Sequence, residues 1–116
     1  MDVSLYGHLT YDRIFEDFRK YTSIGSIGNV WNFLLRINPK LKVNIEPTAI
    51  GEALVLVNKD KVERTSVAQL NLKTKKLNII DSKWSHIMYI NELDDLSFIK
   101  DIKGIVSADI CKGKEL

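Results

Sequence analysis

Ser23-Ile24-Gly25-Ser26-Ile27-Gly28-Asn29-Val30-Trp31-Asn32-Phe33-Leu34-Leu35 is the stretch on which the rest of the chain turns. Ile27, Val30, Trp31 and Leu34 recur at i, i+3, i+4 and i+7, the spacing of one buried helix face. The pattern predicts a helix from Ile27 to Ile37 that stops at Asn38-Pro39, because proline disfavours helical geometry in the residue before it. Ser23 or Ser26 is placed to cap the first turn by accepting a hydrogen bond from a free backbone N–H. Gly25 and Gly28 permit dihedrals, and a closeness of approach, that a Cβ would forbid. Two readings follow: a small ligand lying against the free N–H groups of that turn, or a loop that simply feeds a core helix.

Towards the N-terminus, Val3-Ser4-Leu5-Tyr6 alternates as a strand, Gly7 marks a bend, and Asp12-Arg13-Ile14-Phe15 resumes the extended pattern. Asp12 then falls just past the end of a central strand, where open α/β sheets place ligand contacts; the plainer alternative is a surface carboxylate in a turn. Beyond the helix, Lys42-Val43-Asn44-Ile45-Glu46 and Ala53-Leu54-Val55-Leu56-Val57 read as strands. Asn58-Lys59-Asp60-Lys61 supplies a turn, and Ser66 to Leu72 alternates with Ala68, Leu70 and Leu72 on the apolar side. This predicts a hairpin or meander with one apolar face, which must cover a core, a ligand cleft or the same sheet of a second copy.

Leu77-Asn78-Ile79-Ile80 and the turn Asp81-Ser82-Lys83 lead into an apolar strand from His86 to Ile90. A short helix capped by Asp94 or Asp95 carries Leu96, Phe98, Ile99 and Ile102 inward and ends at Gly104, before a strand from Ile105 to Ile110. Strand, helix and strand with apolar runs predict a βαβ unit with parallel strands.

At 116 residues the chain suits one domain, able to bury roughly 65% of its unfolded surface. A formal charge of +2, with Lys and Arg spread along the chain, argues against nucleic acid as a partner. Cys111 is the only cysteine, so no internal disulfide forms. No signal-peptide pattern and no apolar run near ~18 residues is present, so the expectation is a cytoplasmic protein with no membrane partner. His8 and His86 lack zinc-ligand spacing, and Trp31 and Trp84 read as core packing.

Taken in order, these parts resemble the N-terminal half of the ribokinase (PfkB) family of sugar and nucleoside kinases. Gly7-His8-Leu9-Thr10-Tyr11-Asp12 resembles the first-strand motif whose closing aspartate binds sugar hydroxyls. Gly25 and Asn29 match the second glycine and the asparagine of the Gly-Gly-x-x-x-Asn signature, with Ile24 where the first glycine is expected. Ile50 to Val57, followed by Glu63-Arg64-Thr65, is similar to the lid strands, and Met88 to Glu92 to a strand whose last polar residue lines the sugar pocket. Ser107-Ala108-Asp109 resembles the strand that follows. The resemblance implies a truncated three-layer α/β sheet of ribokinase-like type over residues 1–116, with a β lid over about 43–75. It implies a sugar or nucleoside ligand held by Asp12, Gly25, Asn29 and Glu92.

The chain departs from the family in two places. The strand, Gly-Asp turn and helix that usually precede the lid are missing or shortened after Pro39. The Gly-Ala-Gly-Asp motif, which supplies the catalytic base and the approach to ATP, is absent from these residues. ATP and Mg therefore belong to the full family, this chain carries no catalytic residue, and the expectation is that it does not transfer phosphate alone. An exposed strand edge and an apolar lid face imply a homo-oligomer. The two functional expectations are a sugar- or nucleoside-binding half-domain and a self-associating interaction module.

Overall fold

A computed structural model describes residues 1–61, 63–74 and 76–111. Six strands form one sheet: β1 (Val3–Glu16), β2 (Arg19–Ser26), β3 (Val43–Asn58), β4 (Glu63–Lys73), β5 (Trp84–Ile87) and β6 (Ile105–Ala108). Their order is β4-β3-β1-β5-β6, with β2 also on β1. The single α-helix among the described residues, α1, spans Ile27–Ile37 as the apolar period predicts, and Asn38 N–H closes it on the Leu34 carbonyl.

β1 organises the sheet because its two halves have different neighbours. Val3 to Tyr6 lies between β3 and β5, both parallel to it, whereas Leu9 to Glu16 lies between parallel β3 and antiparallel β2. The first half belongs to a parallel core continued by β6, which is parallel to β5. The second half, with β2, the far part of β3 and antiparallel β4, makes a mixed lid. Strand continuity is the main difference from the sequence expectation. The interruption at Gly7 is real, with φ +149 and a register shift between Gly7 and His8, but hydrogen bonding resumes at once and β1 runs unbroken. Likewise β3 passes through Pro47, which stands opposite Gly7 at the irregularity, where a missing N–H costs the ladder little. The segment expected to be lid from residue 43 therefore begins in the core sheet, beside Val3 to Gly7.

The core lies on the face of β1 that carries Val3, Leu5 and Leu9. Leu5 and Ile27 are fully buried there with Met88, and Val30, Trp31, Leu34, Val43 and Ile45 pack around them. These include every position of the predicted apolar helix stripe, and fully burying one such side chain, as at Ile27, contributes about 1.5–3 kcal/mol. The opposite face carries Ser4 and Tyr6; Tyr6 is wholly buried and packs against Phe98, ring centroids 5.4 Å apart. The link between β5 and β6 is two short 3-10 helices, Ile90–Glu92 and Ser97–Asp101, instead of an α-helix. Asp95 accepts the Ser97 N–H at the start of the second, and Gly104, at φ +88, turns the chain into β6. Leu96 points outward in place of joining the core. No helix among the described residues is long and apolar enough to cross a membrane.

Three local expectations are corrected. Ser26 occupies the N-cap position but makes no side-chain cap, and Ser23 is paired within β2 opposite Asp12. The positive φ of the turn falls on Ser26 (φ 55, ψ −122) and not on Gly25 or Gly28. An L-residue is strained in that region, so Ser26→Gly is expected to raise stability by about 1 kcal/mol, read as a rise in unfolding midpoint. Lastly, a register shift between Ile50 and Gly51 pairs Leu72 with Ile50 and Leu70 with Gly51. The bulge turns Leu72 to the outer lid face, away from the side shared by Ala68 and Leu70.

Candidate functional site

The sheet changes partners at residues 7 to 9, and that changeover opens the carboxyl end of the parallel core. β5 leaves β1 at Tyr6 and β2 takes its place from Leu9 onward. Gly7 sits in the gap, with the start of α1 on one side and the end of β5 on the other. A Cβ on Gly7 would meet Ile27 Cγ2 and Met88 Cβ, each at 3.0 Å, so a side chain there would wedge the two apart. Open parallel sheets place ligands at such ends, where helix N-termini and strand C-termini converge.

Just beyond, on the face of β1 opposite α1, lie Thr10 and Asp12. Their spacing of two residues puts both side chains on one side of the strand, and the Thr10 hydroxyl donates to Asp12 Oδ1 at 2.6 Å. Both residues are buried, Asp12 with only 8% of its surface exposed. Gly25 stands across from Thr10 in β2. A Cβ there would fall 2.2 Å from Asp12 Oδ2 and 2.5 Å from Thr10 Oγ1. Gly25 is therefore small because the carboxylate occupies the space, not because the backbone needs unusual dihedrals. No ion pair neutralises Asp12 among the described residues, so a buried carboxylate is held by a hydroxyl and has Gly25 beside it in β2. Such a group is costly unless further donors reach it.

The other two residues expected here are placed differently. Asn29 is exposed in the first turn of α1, and Glu92 is exposed at the end of the first 3-10 helix. Both stand at the same end of the sheet, but neither bonds to Asp12 among the described residues. Glu92 belongs to a second group with Tyr89 and Cys111. Burial pushes the Cys111 thiol up, helped by the Glu92 carboxylate beside it. Burial likewise raises the Tyr89 phenol, with Cys111, Asp109 and Glu92 adding to the effect.

Sequence reasoning overlooked the devices that fix this end of the sheet. The Asn91 side chain donates to the Cys111 carbonyl and accepts the Cys111 N–H, both at 3.0 Å, as a strand backbone would. Asp109 accepts the Tyr89 N–H and lies 3.8 Å from His86 Nε2. Ser107 Oγ is 2.8 Å from His86 Nδ1 and accepts the Trp84 indole N–H at 2.7 Å. Trp84 is accordingly 45% exposed and not the core residue it was expected to be. Thr10 had a legible signal, a hydroxyl two positions before Asp12; the Asn91 bridge had none, since its partner is a backbone 20 residues away.

No family model and no curated protein matches the chain. Solved structures do. One is a sulfate complex of a pyrophosphate-dependent kinase in the ribokinase family, 13% identical, with a TM-score of 0.53 over 92% of this chain and 49% of that one. Another is a pyrophosphate-dependent kinase of the ribokinase family complexed with a pyrophosphate analog and myo-inositol. It is 16% identical, with a TM-score of 0.50 over 92% of this chain and 48% of that one. The chain thus has an α/β ribokinase-like fold, and it spans about half the length of the kinases it resembles.

The described residues contain no cluster of three or more His, Cys, Asp or Glu able to hold a metal ion. Gly25 and Gly51 lie within strands and Gly28 within α1, each pressed against protein atoms and not cradling an open loop.

Proposed function

We propose that this chain binds a small polyol, a sugar or the sugar of a nucleoside, at the Thr10–Asp12–Gly25 cluster, and does not transfer phosphate by itself. The observation that carries this reading is the buried Asp12 carboxylate, held by Thr10 and faced by a glycine at the open end of a ribokinase-like core. A carboxylate accepts paired hydrogen bonds from adjacent hydroxyls, and Asn29 in the neighbouring turn offers an amide that both donates and accepts. The ribokinase-family kinase that was complexed with myo-inositol supports a polyol as the ligand class. Calorimetric titration with myo-inositol, ribose and adenosine tests it. At least one is expected to bind, and Asp12→Asn, which keeps the shape but removes the charge, is expected to weaken it about 10- to 100-fold. Failure of all three to bind contradicts the reading.

A second reading, a self-associating module, is favoured by the outer lid face. Leu54 pairs across β3–β4 with Val67, and Ile50 with Leu72, and all four are exposed. Val67 and Leu72 keep 68% and 65% of their surface open, so two exposed apolar pairs share this face, one on each side of the Glu52–Gln69 pair. Light scattering is expected to give twice the 13.3 kDa chain mass. Leu54→Lys with Val67→Lys is expected to give a folded monomer. A wild-type monomer at high concentration removes this reading; a dimer indifferent to every polyol favours it over the first.

A further inference from the structure

Asp12 is the one buried charged side chain among the described residues. Thr10 donates to its Oδ1, while Oδ2, over Gly25, has no hydrogen bond among the described residues. The strand register keeps protein cations away from it. Asp12 stands opposite Ser23 in β2 and Ala53 in β3, and Ala53 stands opposite Ala68 in β4. Along β1 its neighbours on the same face are Thr10 and Ile14. Arg13 lies on the other face, where it pairs with Glu52. Glu16, the next carboxylate on the Asp12 face, has its own cation in Lys59. His8, four positions back on that face, does not supply one. Burial holds its imidazole below the ordinary value, assisted by Lys73 and opposed by Glu92 and Asp94, so the ring is neutral near pH 7. Buried charges in proteins are otherwise paired or coordinate a metal, and the described residues offer no group of three ligands for a metal ion.

We infer that the ligand of this site is an amino polyol, a compact hydroxylated ring that carries one ammonium group. This class deepens, and rests on, the polyol reading above. The ammonium donates to Asp12 Oδ2 and supplies the positive charge that the fold withholds. A neutral hydroxyl also donates to a carboxylate, but it leaves the buried charge uncompensated, and attraction between opposite charges is stronger here than in water. Ser23, half-buried across from Asp12, is the hydroxyl placed to meet the rest of the ring.

The test is a calorimetric titration of the full chain at pH 7 with scyllo-inositol and scyllo-inosamine, rings that differ by one ammonium in place of one hydroxyl. Every position of scyllo-inositol is equivalent, so the outcome does not depend on where the amine is placed. The amine is expected to bind at least tenfold more tightly. Asp12→Asn is expected to bring the two rings to the same affinity. Raising the pH past the ligand ammonium's own pKa is expected to do the same in the wild-type protein, with no substitution at all. Equal or weaker binding of the amine overturns the inference, as does an advantage that survives both Asp12→Asn and the rise in pH. If the two rings bind equally, the polyol reading stands and only the ammonium is lost. If neither binds, both fail. Cyclohexylammonium, the charge without the hydroxyls, is expected to bind at least tenfold more weakly than scyllo-inosamine; equal binding would leave a cation site and remove the polyol.

Discussion

Gly51→Ala is expected to lower the unfolding midpoint by about 10 °C and to loosen β4 while the parallel core stays folded. The reason is what lies above Gly51. A Cβ there would sit 2.1 Å from the Gln69 carbonyl oxygen and 2.7 Å from Leu70 Cα, both backbone atoms of β4. A flexible side chain can swing aside from such a contact, but a strand backbone held in a ladder cannot. The bulge that brings β4 so close is the one that pairs Leu70 with Gly51 and Leu72 with Ile50. Relief therefore requires β4 to move away, breaking the pairs from Ala53–Ala68 to Asn58–Glu63. Amide exchange by mass spectrometry is expected to show lost protection in β3 beyond Gly51 and in β4, with protection kept in α1 and β5. Wild-type protection throughout would mean that the bulge does not confine Gly51.

Gly25→Ala is expected to abolish polyol binding, with a loss of about 100-fold or more, and to cost a further 1–3 kcal/mol of stability. Here the added methyl meets side chains, Asp12 Oδ2 at 2.2 Å and Thr10 Oγ1 at 2.5 Å. Gly25 has no positive φ, so alanine suits the backbone and the effect comes from displacing the carboxylate and the Thr10 hydroxyl beside it. A double-mutant cycle isolates it. Gly25→Ala combined with Asp12→Ala is expected to recover part of the lost stability, since the carboxylate is gone and only the Thr10 hydroxyl remains in the way, without recovering binding. Additive losses in stability would show that the two residues are not in contact.

Some of this was legible before any coordinates. α1 ends where Asn38-Pro39 says it must, because both the apolar period and the stop signal are local. Parallel pairing of β5 and β6 followed from two apolar runs separated by a crossover, even though the crossover is 3-10 and not α-helical. Asp12 and Gly25 could be associated through a resemblance of motifs, and the structure places them in contact. The unread parts are those set by distant partners. The bulges at Gly7 and Gly51 are set by how distant strands pair within the one sheet, and nothing in Glu46-Pro47-Thr48 shows that β3 continues through a proline. Ser26 takes the positive φ that the sequence suggested for the glycines, and Gly25 and Gly28 serve close packing instead. The exposure of Trp84 follows from Ser107, 23 residues away, which accepts its indole N–H.

The most direct measurement is an amide chemical-shift titration of the whole chain with myo-inositol, ribose and adenosine. Saturable shifts are expected at Asp12, Gly25 and Asn29 with at least one of them, vanishing in Asp12→Asn. A full titration that leaves those three amides unmoved, or moves only others, would contradict a polyol site at the opening of this sheet.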